Sequence, residues 1–158
     1  MPENIFKQIS PEILRLHRQT LHSLLATQGC RDCEIHHAVY ITLNGLYYVW
    51  LPDMPSAHLS RAGILLIEDE TSHTRLSWIA DTRRIHRQDN LYRRISSALQ
   101  RRMLRAKEKF HQAADSHLLE LTPRQGRLTT ADKDFPLSPH DLLKALYPAS
   151  HKLGEFAL

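Results

Sequence analysis

The chain has 158 residues and a mass of 18.3 kDa, a length that one domain of ordinary size accounts for. With 42% hydrophobic and 24% charged residues it carries enough apolar side chains for a core, which excludes wholesale disorder. The net charge of +4 and a pI near 9.3 come largely from one stretch, Arg83 to Lys109, where Arg83, Arg84, Arg87, Arg93, Arg94, Arg101, Arg102, Arg105, Lys107 and Lys109 face few acids. Such a field draws anions: nucleic acid, phosphate, or the propionates of a haem. Eleven histidines add the side chain most used for metals, haem iron and proton traffic near neutral pH.

No run approaches the about 18 apolar residues of a membrane helix, and the first ten residues, MPENIFKQIS, lack the apolar stretch of a secretory leader. Two cysteines are too few to staple a secreted scaffold. The expectation is a cytoplasmic protein of one domain, residues 1–158, without a membrane partner.

Taken in chain order, Ser10-Pro11-Glu12 reads as a helix start, with serine at the cap and proline at the first position. Leu14, Leu21, Leu24 and Leu25 continue that helix to Gly29. HHAVYITL, Asn44-Gly45 and LYYVWL then predict a hairpin, since Asn-Gly suits a type I′ turn; Pro52 and Pro55 close its second strand. GILLIED (63–69) reads as a short buried strand and TRLSWIADTRRI (74–85) as another.

From Asp89 to about Ala114 the period is helical, with Leu91, Ile95, Leu99, Met103 and Phe110 on a seam and basic residues elsewhere. SHLLEL, a turn at Pro123-Arg124-Gln125-Gly126 and RLTT predict a second hairpin. Ser138-Pro139-His140-Asp141 opens a short helix that Pro148 ends, and 149–158 form a weakly patterned tail. Hairpins without βαβ units define an antiparallel α+β domain.

Three features bear on chemistry. Cys30-Arg-Asp-Cys33 with His36 and His37 has zinc-ligand residue types, yet no second pair completes a finger, and Glu34 stands where c-type haem attachment needs histidine; an ordinary loop with two thiols is the preferred reading. The basic helix reads first as a solvated face, and no nucleic-acid fingerprint accompanies it, which argues against a nucleic-acid partner. His151 in the tail and Asp115 ahead of a strand complete the set. No glycine-rich phosphate loop and no GxSxG elbow is present.

ILLIEDE (64–70) followed by TRLSW, then HLLELTPRQGRLTT (117–130), then SPHDLL (138–143) with His151-Lys152 beyond it, resemble the haem-utilisation family of HugZ/HutZ type, a relative of the pyridoxamine 5'-phosphate oxidases. LHSLLAT also looks like that family's approach to its first strand, so the similarity runs from about Leu14 to Lys152. The resemblance implies an antiparallel split β-barrel with flanking helices, working as a homodimer that binds haem in the dimer cleft and opens the porphyrin with O₂ and an external reductant.

It further implies His151 as the ligand of the haem iron and Asp115 as the carboxylate that holds its second ring nitrogen, an arrangement that orients the imidazole and strengthens it as a donor. Arg83 and Arg87 are candidates for neutralising the propionates. The chain departs from the family at ADKDFPL (131–137), which keeps only an aromatic, Phe135, of a glycine-rich segment. It departs again at PDMPSAHLSRAG (52–63), which lacks the flavin-phosphate pattern and so argues against FMN. The alternatives are a haem chaperone or store without turnover and an FMN-dependent oxidoreductase; an electron donor or haem-delivery protein would be a further partner.

Overall fold

The computed structural model describes residues 2–28, 32–51, 61–108 and 117–147. Its elements are α1 (Glu3–Gln19), β1 (His22–Gln28), β2 (Cys33–Leu43), β3 (Leu46–Leu51), β4 (Ala62–Asp69), β5 (Thr74–Ile85), α2 (Asn90–Arg105), β6 (His117–Thr129), β7 (Asp134–Leu137) and α3 (Pro139–Leu146). The strands pair antiparallel in the order β3-β2-β1-β4-β5-β6-β7, and β3 pairs again with β6. Residues His117 to Leu121 of β6 pair with β3, Gly126 to Thr129 pair with β7, and β5 runs along almost the whole strand. Six strands therefore form a closed barrel and β7 hangs from its open lip, a split β-barrel of the α+β class.

The expected hairpin forms where Asn44 and Gly45 take φ of 54° and 80°, the left-handed pair that a type I′ turn requires. Beyond it LYYVWL is buried along nearly its whole length because both faces are covered. Tyr47, Val49 and Leu51 enter the barrel, while Tyr48 and Trp50 lie on the opposite side with Tyr92, Ile95 and Leu99 of α2. Two clusters result: a barrel core plugged by Ile9, Ile13 and Leu16 of α1 and Leu142 and Ala145 of α3, and a second layer under α2. Asp89 caps α2 by accepting from the Leu91 amide at 2.9 Å. Ser138 and Asp141 form a reciprocal capping box on α3 at 3.1 and 3.0 Å.

Four expectations are corrected. The first helix begins at Glu3, runs through Pro11 and ends at Gln19, and residues expected to extend it form β1. Packing of Ile9, Ile13 and Leu16 on the barrel, each almost wholly buried, outweighs the one backbone hydrogen bond that Pro11 removes. The second hairpin is a single strand: β6 passes straight through Pro123, opposite a register shift at Ile79/Ala80 that leaves Arg124 as the extra residue. A bulge is where a strand tolerates a proline. The long helix ends at Arg105, with Lys107 at φ 59° in the turn beyond it. GILLIED is buried on its inner face alone, Ile64 being 50% exposed.

Candidate functional site

Asp115 and His151 lie outside the described residues, as do Cys30 and the prolines expected to end β3. Arg83 and Arg87 stand at the end of β5, at the same end of the barrel where β6 begins, because Ile85 pairs with Leu118 and Arg83 with Glu120. Arg83 donates from Nε and Nη2 to the two carboxylate oxygens of Glu120, both at 3.1 Å. Tyr48 donates to the same carboxylate at 3.0 Å. Glu120 raises the Arg83 pKa, chiefly through that hydrogen bond, and burial pushes the Tyr48 hydroxyl up to about 12. The guanidinium is thus anchored across the β5–β6 pair. Arg87 is exposed in the turn that leads to α2.

A polar chain missed in the sequence runs through the barrel core. His17 Nδ1 lies 2.7 Å from the Ile13 carbonyl oxygen and Nε2 lies 2.7 Å from the Tyr47 hydroxyl. The carbonyl can only accept, so Nδ1 carries the proton, Nε2 accepts from Tyr47, and the Tyr47 oxygen accepts from Trp78 Nε1 at 2.9 Å. Burial lowers the His17 pKa to about 4, with a smaller push from the Arg102 charge. Both ring nitrogens are engaged in the core, which removes His17 from the candidate metal and haem ligands. The sequence signal is its spacing of four from Ile13, which puts it on the inward stripe of α1.

An apolar surface lies on the outer face of β2-β1-β4-β5. Register places Ile35, Ala26, Ile64 and Ile79 in one row, and His37, Leu24, Leu66 and Ser77 in the next. Ile35, Ile64 and Ile79 are 68%, 50% and 49% exposed. The rows are flanked by the pairs Glu68–Arg75, at 3.0 Å, and Asp81–Arg124. An apolar centre inside a rim of both charge signs has the anatomy of a protein interface. The signal for it was the unbroken run Ile64-Leu65-Leu66-Ile67, apolar on both faces of one strand. Among the described residues, no three His, Cys, Asp or Glu side chains converge as a metal site, and Cys33 is an exposed free thiol. No described helix is long and apolar enough to cross a membrane.

A barrel closed by β3–β6 with β7 on its lip is the architecture of the split-barrel proteins, and solved structures share it. HutZ from Vibrio cholerae, described as a heme storage protein, superposes with a TM-score of 0.63 at 20% identity, covering 76% of this chain and 92% of that one. A heme binding protein from Mycobacterium smegmatis gives 0.65 at 16% identity over 84% of this chain and 59% of that one. A Clostridium acetobutylicum protein of the pyridoxinephosphate oxidase family, related to general stress protein 26 of Bacillus subtilis, gives 0.65 at 12% identity over 86% and 98%. By sequence, no family profile and no curated protein matches the chain. The chain thus has the split-barrel fold common to haem-utilisation proteins and the pyridoxamine-phosphate-oxidase type.

Proposed function

We propose that the chain is a haem-binding protein that works as a homodimer of split barrels, joined through the outer face of β2-β1-β4-β5, and that it opens the porphyrin with O₂ and an external reductant. The observation that carries the reading is the fold, shared with HutZ and the mycobacterial heme binding protein. The isoleucine face supports the dimer, because two copies related by a two-fold axis bury the same apolar rows and can set Glu68 and Asp81 of one against Arg75 and Arg124 of the other.

Haem is an apolar disc with two carboxylates. Among the described residues, the cations at the β5 end of the barrel fit its carboxylates. Arg83 keeps Nη1 for a carboxylate while Glu120 occupies Nε and Nη2. The iron would be held by the imidazole of His151, and the Asp115 carboxylate would accept from its other ring nitrogen and fix the tautomer. Haem when bound supplies the redox-active iron and is itself the ring consumed. The chain's part is to orient that imidazole, neutralise the propionates and exclude bulk water. A second reading, storage without turnover, is favoured by the description of HutZ as a storage protein.

A haemin titration of the protein beside His151→Ala, followed by ascorbate in air with catalase present, tests the reading. The expected result is a sharp Soret band with at least tenfold weaker binding in the variant, then bleaching that catalase does not prevent. Saturable binding without bleaching selects storage. Equally weak, unsaturable spectra for both proteins overturn the haem reading, and visible flavin bands retained through purification replace it with an FMN-dependent oxidoreductase.

A further inference from the structure

A groove away from the isoleucine face lies where the C-terminal ends of α1 and α2 meet β2 and the end of α3. It has two lobes of about 590 and 690 Å³ that share Thr42, Arg102 and Arg105 as their common wall, each within the size range of small-ligand sites. The first lobe mixes polar groups of α1 and Tyr147 with Leu14, Leu21 and Leu146; the second is mostly apolar, walled by Ile41, Leu43, Ala98 and Leu104. Leu43 and Leu104 are among the few large apolar side chains exposed on the described surface, at 37% and 63%.

The charge in this groove is one-sided. Ala98, Arg101, Arg102 and Arg105 occupy one stripe of α2 at helical spacing, and Arg18 of α1 lines the first lobe together with Arg102 and Arg105. Arg102 is spent on structure: its Nη2 donates to the His17 carbonyl at 2.6 Å and to the Thr20 carbonyl, and its guanidinium lies 5.2 Å from the centre of the Tyr40 ring. That contact offsets the dipole at the end of α1 and fixes the groove wall. Arg18, Arg101 and Arg105 form no ion pair among the described residues, and no Asp or Glu lines either lobe. By contrast Arg15, Arg75, Arg83, Arg124 and Arg127 each hold a carboxylate.

We propose that this groove binds an amphiphilic organic anion, its apolar body in the lobe under Leu43 and Leu104 and its carboxylate or phosphate on Arg105, Arg101 and Arg18. Guanidinium groups form strong, forked hydrogen bonds to such oxyanions, and a concave apolar lobe beside them selects an amphiphile over an extended polyanion.

The test is a fluorescence titration with 8-anilinonaphthalene-1-sulfonate, an apolar aromatic anion, with dodecanoate as competitor. Arg101→Gln/Arg105→Gln is compared with Arg93→Gln/Arg94→Gln, which removes the same charge elsewhere on α2, and with Ile64→Asp on the sheet face. The proposal expects at least tenfold weaker dye binding in the first variant, less than twofold change in the other two, and displacement of the dye by dodecanoate. Equal losses in the two arginine variants would reduce the effect to net charge, and a loss confined to Ile64→Asp would move the dye to the sheet. Displacement by a short DNA duplex but not by dodecanoate would likewise overturn it. Unchanged helicity by circular dichroism establishes that the variants fold. Haemin affinity is expected to be unchanged in Arg101→Gln/Arg105→Gln, so failure of the haem reading and failure of this one give different results.

Discussion

Acidification tests the buried His17–Tyr47–Trp78 chain directly. In the folded protein the Ile13 carbonyl keeps the proton on Nδ1, and Nε2 is the acceptor for Tyr47. Protonating Nε2 would make it a donor facing a hydroxyl that must then give up its own donation, in a buried site with the Arg102 charge nearby. Burial first, and that charge second, hold the folded pKa at about 4, against 6.5 for an exposed histidine. Below pH 6.5 the unfolded chain takes up a proton that the folded chain refuses, so stability falls with decreasing pH until about pH 4 and is insensitive to this group above 6.5. The gap of about 2.5 units corresponds to about 3 kcal/mol at 1.36 kcal/mol per unit. Urea unfolding followed by the fluorescence of Trp50 and Trp78, both buried, measures it. With a slope of about 2 kcal/mol/M, His17 alone lowers the midpoint by about 1.5 M across the window. Surface carboxylates and the other histidines titrate in both proteins, so the comparison is with His17→Gln: less stable than the parent at pH 7, with the difference closing as the pH approaches 4. Parallel stability curves for parent and variant between pH 7 and 4 would refute the assigned tautomer and the buried, neutral imidazole.

Two further outcomes follow from packing. A Cβ on Gly126 would sit 2.5 Å from the Trp78 ring, and the bond from Trp78 Nε1 to Tyr47 resists any shift of that ring; Gly126→Ala is expected to cost about 1–3 kcal/mol and to lower Tm by about 3–10 °C in a thermal melt, a drop under 1 °C counting against it. Ile64→Asp puts a charge in the middle of the exposed isoleucine row without touching the core, so light scattering after size exclusion should fall from twice the chain mass to 18.3 kDa at unchanged helicity, whereas an unchanged mass would place the dimer contact elsewhere.

Local chemistry made some elements readable and long-range pairing hid others. Asn44-Gly45, Asp89 and Ser138-Pro139 act within a turn or a cap, and the hairpin and the starts of α2 and α3 fall where those residues predict. The boundary between α1 and β1 was misread because Leu21, Leu24 and Leu25 continue the spacing of Leu14. What separates the two elements is that Leu25 enters the barrel while Leu24 faces outward beside Leu66, a distinction made by strands distant in sequence. Pro123 misled for a related reason. A proline followed by glycine three residues later is a turn signal in isolation, yet β5 supplies a partner across the whole of β6, and a one-residue bulge absorbs the missing N–H.

The same reasoning sorts the site. Arginine 83 was a sound candidate by charge, but the sequence does not show that Glu120 stands directly across the ladder from it. Once that pairing is known, its first role is to join β5 to β6, and any contact with a ligand carboxylate uses what the pair leaves over. The isoleucine face was hidden by a one-sided rule: apolar runs are read as buried strands, and a barrel buries only its inner surface unless a helix covers the outer one. Helix α2 covers β2 and β3 at Ile41, Tyr48 and Trp50, and α1 and α3 contribute to the barrel core. Leu24, Ile35, Ile64, Leu66 and Ile79 stand on the outer strands with no described helix over them. These strands are apolar on both faces, and the three described helices are committed elsewhere. In the proposed dimer a second copy would cover them, with matching rows and opposite rim charges.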